Sequence, residues 1–215
     1  DGIVMMSDHV TDKIASAIRQ SPVPVVLAGS IINDSSIPSV NIDYFQAAMD
    51  AIQLFINKGH KEIAFVSGPL EYTINGEHKL GAYKQALQQA NIEINEQLID
   101  ATDGTYDEAL LSWESFVQKA HVPTAIFAGS DEIALGIIHA IQDAGKRVPE
   151  DVEVISFENS KLARMIRPQL TSVALPLYDI GAVSMRLLTK LLNKEEVPDK
   201  NVILPYRIET RKSTK

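Results

Sequence analysis

The sequence predicts an α/β fold built on parallel β-sheet, and three observations carry that reading. Short β-branched runs alternate with longer stretches of helical period along the chain, which is the signature of βαβ units. Glycine and proline fall between these runs, where helices must stop. The last part breaks the rhythm, running strand, helix 177–193, then Val202–Leu204, Pro205 and Tyr206–Glu209. A proline between two short strands lets a chain leave one sheet and enter another. The pattern is therefore compatible with a single sheet, or with two α/β lobes joined by several crossing segments around a ligand cleft.

In chain order, strands are predicted over Gly2–Met6, Pro24–Ala28, Glu62–Ser67, Thr124–Ala128, Val152–Phe157 and Thr171–Ala174. Helices are predicted over 11–20, 44–58, 74–90, 106–120, 131–144 and 177–193. Gly59 and Gly145 follow two of these helices, where a left-handed residue is needed, and Pro149 prevents continuation beyond the second. Asp43 and Ser130 stand where a side-chain oxygen would take up the orphan amides of a first turn. Asp1-Gly2 leads straight into the apolar run Ile3-Val4-Met5-Met6, without a preceding helix, leader or initiator methionine, so the chain reads as cut from something longer. Tyr72, Tyr83 and Trp113, aromatics at helical spacing, are expected in the core.

Composition narrows the function classes. A chain of 215 residues is one large domain or two small ones. Its 20 Lys and Arg against 28 Asp and Glu leave a net charge of −8, which suits a bare DNA binder poorly, because phosphate contacts need clustered cations. The absence of cysteine removes disulfides, thiolate metal sites and cysteine nucleophiles, and leans towards a reducing, cytoplasmic setting. No apolar run approaches the roughly 20 residues of a membrane span. No two of the 11 glycines are two apart, so the dinucleotide fingerprint is missing, and no phosphate-binding G-x-x-x-x-G-K motif occurs. The five histidines are scattered, and Ser30 and Ser130 lack a nucleophile elbow. Paired acids such as Asp131-Glu132 and Glu195-Glu196 read as pointing to different helical faces or to solvent. No catalytic or metal-ligating constellation marks the chain as an enzyme.

Four segments together carry a resemblance: KGHKEIAFVSGP (58–69), PTAIFAGSDEIALGIIHAIQDAGKRVPEDVEVISFEN (123–159), PQLTSVALPLYDIGAVSMRLL (168–188) and LPYRIETRKST (204–214). In this order and spacing the chain resembles the core of the LacI/GalR family of bacterial transcription regulators. The resemblance implies the periplasmic-binding-protein-like fold, two Rossmann-like lobes with parallel sheets and three crossovers, here near Asp43, Leu175 and Leu204–Pro205. Residues 1–43 and 175–204 would then form an incomplete N-terminal lobe, and 44–174 with 205–215 a C-terminal lobe. It further implies a homodimer that reaches operator DNA through an N-terminal helix-turn-helix absent from these residues, which fits the acidic charge. A sugar-binding transport protein of the same fold is the alternative outside regulation.

Within the family, PLYDIGAVSMRLLTKLLNKE and the following LPYRIE resemble the effector-docking elements of members that govern carbon catabolite control. Their effector is a second protein, the phosphocarrier HPr phosphorylated on a serine. On a helix, Asp179, Val183, Arg186 and Lys190 fall within about 60° of one another, with Leu187, Leu188, Leu191 and Leu192 expected on the core side. Arg186 would clamp the phosphate with Lys190 beside it, Asp179 would meet a basic group, and Tyr178 would supply a rigid contact. Arg207 matches a further contact position. On spacing alone, the same stripe is the ordinary solvated face of an amphipathic helix.

Sugar-binding relatives carry Asn-Asp, Arg and Gly-Phe-Asp at three points of the cleft. This chain has Ser130-Asp131, Lys79 and Ser156-Phe157-Glu158 there. Lys79, Asp131 and Glu158 are thus candidates for a phosphorylated sugar, glucose 6-phosphate or fructose 1,6-bisphosphate, acting as an adjunct. A repressor answering a free sugar and a relic cleft both stay open, as does a helix-capping role for Asp131.

Overall fold

A computed structural model describes all 215 residues, and they fall into two compact units. The first comprises Asp1–Asp43, Tyr72–Ile74 and Pro176–Tyr206; the second comprises Tyr44–Glu71, Asn75–Leu175 and Arg207–Lys215.

In the first unit, β1 (Ile3–Met5), β2 (Val25–Ala28), β3 (Ser39–Asn41) and β9 (Asn201–Ile203) form a parallel sheet in that order. Helices α1 (Asp12–Arg19) and α7 (Leu177–Leu192) complete it. Thr11 caps α1 by accepting from the Ile14 amide, with Asp12 in the first turn and Arg19 in the last, as the helix dipole favours. Val26, Ala28 and Val40 pack against Ile180, Leu187 and Leu188 of α7 to make the core.

The second unit holds β4 (Ile63–Ser67), β5 (Ile99–Ala101), β6 (Ala125–Ala128), β7 (Glu153–Glu158), β8 (Thr171–Ala174) and β10 (Arg207–Glu209) in one sheet, ordered β10-β8-β7-β6-β4-β5. All pairs are parallel except the β10–β8 edge. The period-2 alternation of strands sorts its core. Ala64, Val66, Ile126, Ala128 and Val154 share a cluster with Trp113 and Phe116 of α4 (Tyr106–Gln118) and Ile133, Ile137 and Ile141 of α5 (Asp131–Asp143). The alternate residues Phe65, Phe127 and Phe157 form an aromatic row, with ring centroids 5.6 and 6.2 Å apart, joined by Tyr83 of α3 (Gly81–Gln89) and Tyr44 of α2 (Tyr44–Asn57). A short helix, α6 (Lys161–Met165), lies between β7 and β8. No helix is long and apolar enough to cross a membrane.

The parallel α/β class is the one the alternation predicts. Four elements are additions to the expected list: the three-residue strands β3 and β5, a 3-10 turn at Glu96–Leu98, and α6. The expected helix 74–90 divides into a π-helical turn, Ile74–Leu80, and α3. Tyr83 and Trp113 are buried, but Tyr72 is only half-buried and stacks on His9, with centroids 4.9 Å apart.

Helices α4 and α5 pack closely because α5 has no side chain at Gly136. A Cβ there would lie 2.6 Å from the Tyr106 carbonyl oxygen and 2.9 Å from Ala109 Cβ. In an exposed helix Gly→Ala stabilises by about 1 kcal/mol. At this contact the sign reverses, and Gly136→Ala should lower the unfolding free energy by about 1–3 kcal/mol in urea denaturation.

Candidate functional site

Two groups of side chains merit a functional reading, one at the C-terminal ends of the second unit's strands and one along α7.

The first group centres on Asp131, at the start of α5 and wholly buried. Ser130, not Asp131, caps this helix, its hydroxyl accepting from the Ile133 amide at 3.1 Å. The Asp131 carboxylate faces inward, towards β7 and β8. Ser156 and Ser172 are register partners on those adjacent strands. Both hydroxyls donate to Asp131 Oδ1, at 2.5 and 3.0 Å, while the Ser160 amide donates to Oδ2 at 2.5 Å. Glu132 is exposed, so the neighbouring acids do point to different faces.

Glu158 ends β7 and is half-buried, with φ 107°, and Asn159 follows at φ 56°. Two successive left-handed residues turn the chain so that the Ser160 amide comes back to Asp131. The Asn159 amide donates to Ser172 Oγ at 3.0 Å, and its side-chain oxygen accepts from Arg211 at 2.6 Å.

Lys79 lies on the π-helical turn and is 6% exposed. Its ammonium donates to the Gly129 carbonyl at 2.8 Å and to Asn75 Oδ1 at 3.3 Å, and sits 4.6 Å from the Phe157 ring centroid. The ring face offsets part of the cost of burying the cation. Gly76 makes this turn possible, because a Cβ there would come within 1.9 Å of the Leu70 carbonyl oxygen. Lys79, Asp131 and Glu158 all belong to the second unit, at the same ends of its strands. Sequence reasoning did not name Asn75, Ser156, Ser160 or Ser172 among their partners; strand alternation, which puts Ser156 on the same face as Val154, is the signal that identifies Ser156.

Helix α7 has three sides. Ile180, Ser184, Leu187 and Leu188 are buried against the first unit's sheet. Asp179, Arg186 and Lys190 are exposed, and their side chains make no hydrogen bond or ion pair within the chain. Arg186 and Lys190 are one turn apart, and like charges at that spacing cost about 0.2–0.5 kcal/mol. The helix dipole favours Asp179 in the first turn and Lys190 in the last, but it does not account for Arg186 mid-helix. On the third side, Tyr178 is 86% exposed and Met185 54%.

Two expectations for this helix are corrected. Val183 is not a free member of the charged stripe; it is half-buried and packs on the core. Leu192 is not a core residue but 42% exposed, since the helix ends there. Met185 was missed, although its place one helical repeat beyond Tyr178 puts the two on one side. Arg207 lies on β10 of the second unit, exposed and ion-paired with Glu209.

The carboxylate of Asp131 yields a direct test. Asp131→Asn keeps an acceptor for the two serines but sets an amide N–H against the Ser160 N–H. Unfolding free energy should fall by about 2–3 kcal/mol, the scale of a charge-assisted hydrogen bond lost in a buried site; an unchanged midpoint in urea would show that the contacts contribute nothing.

Comparison with known proteins places this architecture. A periplasmic binding protein-like domain matches residues 52–214. Catabolite control protein A of Priestia megaterium is 53% identical over all 215 residues, and the chain spans 65% of that protein's length. The crystal structure of the transcription regulator CcpA of Lactococcus lactis superimposes with a TM-score of 0.93 at 41% identity, covering 100% of this chain and 78% of that one. A sugar-binding transcriptional regulator of the LacI family from Escherichia coli, solved with phosphate, gives a TM-score of 0.86 at 28% identity, covering 99% and 76%.

Proposed function

The chain belongs to the LacI family of transcription regulators with a periplasmic binding protein-like domain, and we propose that it is the effector-binding and dimerisation core of a regulator of carbon catabolite control. The observation that carries this reading is α7. It presents two cations and one anion with no partner in the chain, beside an exposed tyrosine and methionine, in a protein half identical to catabolite control protein A.

The effector in this reading is serine-phosphorylated HPr. A phosphoserine carries a charge near −2 and three acceptor oxygens, which match the bidentate donors of Arg186 and the mobile ammonium of Lys190 one turn away. Their mutual repulsion in the free chain is outweighed once a dianion sits between them and attracts both. Asp179 would meet a basic side chain of HPr, while Tyr178 and Met185 would receive its apolar surface. The phosphate makes the interaction conditional. Without it, the same surface would bring two unneutralised cations to the interface.

Such a protein effector would bias a dimer towards the state that binds operator DNA, through a DNA-reading part in the length of the relatives that this chain does not span. Dimerisation is supported by Leu111 of α4 and Leu162 and Met165 of α6, which are 55, 37 and 71% exposed on helices that both pack on α5. No catalytic role is assigned to the chain. Lys79, with Glu158 and Asp131 at the same ends of the second unit's strands, is the place for a phosphorylated sugar as adjunct, glucose 6-phosphate or fructose 1,6-bisphosphate. The phosphate-bound LacI-family relative supports an anion in this fold. Asp131, whose two oxygens already hold three protein donors, would act there by keeping β7, β8 and α5 in place.

Calorimetric titration with HPr tests the reading. The serine-phosphorylated form should bind and the unphosphorylated form should not, and Arg186→Ala should weaken binding at least about 30-fold, the scale of a lost charge-assisted pair. No binding of either form would sink the proposal and leave a free sugar as the effector to be sought.

A further inference from the structure

A serine or threonine that follows an arginine by three residues suits kinases that hold the guanidinium in an acidic pocket. Three of the seven arginines stand in that relation: Arg186 to Thr189, Arg207 to Thr210 and Arg211 to Thr214. Their surroundings separate them. Thr214 is 6% exposed and hydrogen-bonded to Thr171 Oγ1 at 2.8 Å, and Arg211 is committed to the Leu170 carbonyl and to Asn159. Thr210 is exposed, but the Arg207 guanidinium is ion-paired with Glu209. Thr189 alone combines an exposed acceptor with an exposed arginine whose guanidinium has no partner in the chain.

Thr189 also lies within the face that α7 presents. It falls about 60° from Arg186 and about 40° from Met185, between the charged stripe and the apolar side. Its hydroxyl donates to the Met185 carbonyl at 2.9 Å. Its own carbonyl accepts from the Asn193 amide at 3.0 Å, so it belongs to the last turn, and Lys194 just beyond is left-handed at φ 57°. Helix ends fray at little cost, which lets a kinase take such a segment in extended form.

We propose that Thr189 is a phosphorylation site that switches off the docking face of α7, an inference that rests on the reading of that face given above. The phosphoryl donor is ATP, held by a separate protein kinase. Thr189 Oγ1 attacks the γ-phosphorus and forms the new O–P bond, while the bond from that phosphorus to the β–γ bridging oxygen breaks. ADP leaves with the electron pair, and the hydroxyl proton passes to the kinase's carboxylate base. The dianion left on Thr189 is disfavoured by the negative end of the helix dipole and pairs with Arg186. The arginine that directs the modification is then the one it occupies. An incoming phosphoserine would meet a dianion where the free chain offers a cation.

Incubation of the 215-residue chain with ATP, Mg²⁺ and a calmodulin-dependent protein kinase, which selects arginine three residues before its acceptor, tests this. Peptide mass spectrometry locates the phosphate, and calorimetry compares treated and untreated chains with serine-phosphorylated HPr. Phosphate on Thr189 is expected, with binding at least tenfold weaker in the treated chain. Thr189→Val should bind equally before and after the same treatment. No phosphate on Thr189, or unchanged affinity once it is there, would overturn the inference and leave the docking reading intact. A loss that persists in Thr189→Val would place the effect at another residue and overturn it too. An untreated chain that does not bind would instead strike the docking reading, and this inference with it.

Discussion

A carboxylate sealed from water has to find its donors inside the protein, and at Asp131 this requirement shapes one end of the second unit. Its donors come from three places in the chain, β7, β8 and the residue that opens α6. To deliver the last of them, β7 ends in two successive left-handed residues, Glu158 and Asn159. Each such residue costs on the order of 1–3 kcal/mol when it is not glycine, with asparagine at the low end. Hydrogen bonds to a buried charge contribute about 1.5–3 kcal/mol each, so three of them outweigh the turn. The helix N-terminus adds favourable potential at the same carboxylate. The chain substitutes serine for glycine at position 156 relative to the sugar-binding pattern, and the structure shows what that hydroxyl does: it donates to Asp131 Oδ1 at 2.5 Å.

Helix α7 stands at the other extreme of the same physics. Its buried side is ordinary, with Ile180, Leu187 and Leu188 against Val26, Ala28 and Val40. Its charges are left in water, unpaired, where they cost little in the free protein and stay available. Water screens Arg186 and Lys190 from each other only while they remain hydrated. In the proposed complex an incoming dianion would displace that water and outweigh the repulsion by attracting both cations. A neutral partner would only do the first. The arrangement would thus discriminate by charge before any fine contact is made.

Much of the architecture was legible in the sequence. The strands β2, β4, β6, β7 and β8 and the helices α1, α2, α4, α5 and α7 lie within a residue or two of their expected bounds, because their runs are clear, Gly59 and Gly145 mark stops, and Ser130 marks a start. The short strands β3 and β5 carry three residues each, too few to show a period. The π-helical turn was hidden because Asn75 and Lys79, four apart, look the same in an α-helix. At the site, spacing located the α7 stripe but could not separate Val183, packed on the core of the first unit, from its exposed neighbours. Asp131 looked like a cap or a ligand residue. Its actual partners lie 25, 29 and 41 residues away, and no local pattern announces such contacts. The family resemblance, rather than the spacing, is what gave the stripe a partner.

The proposed docking of a phosphorylated protein on α7 is open to a direct test. Hydrogen–deuterium exchange of the chain with serine-phosphorylated HPr, against the unphosphorylated form, tests it most directly. Slowed exchange is expected in peptides covering 177–192, and only with the phosphorylated form. Protection that leaves 177–192 unchanged and appears elsewhere would contradict it.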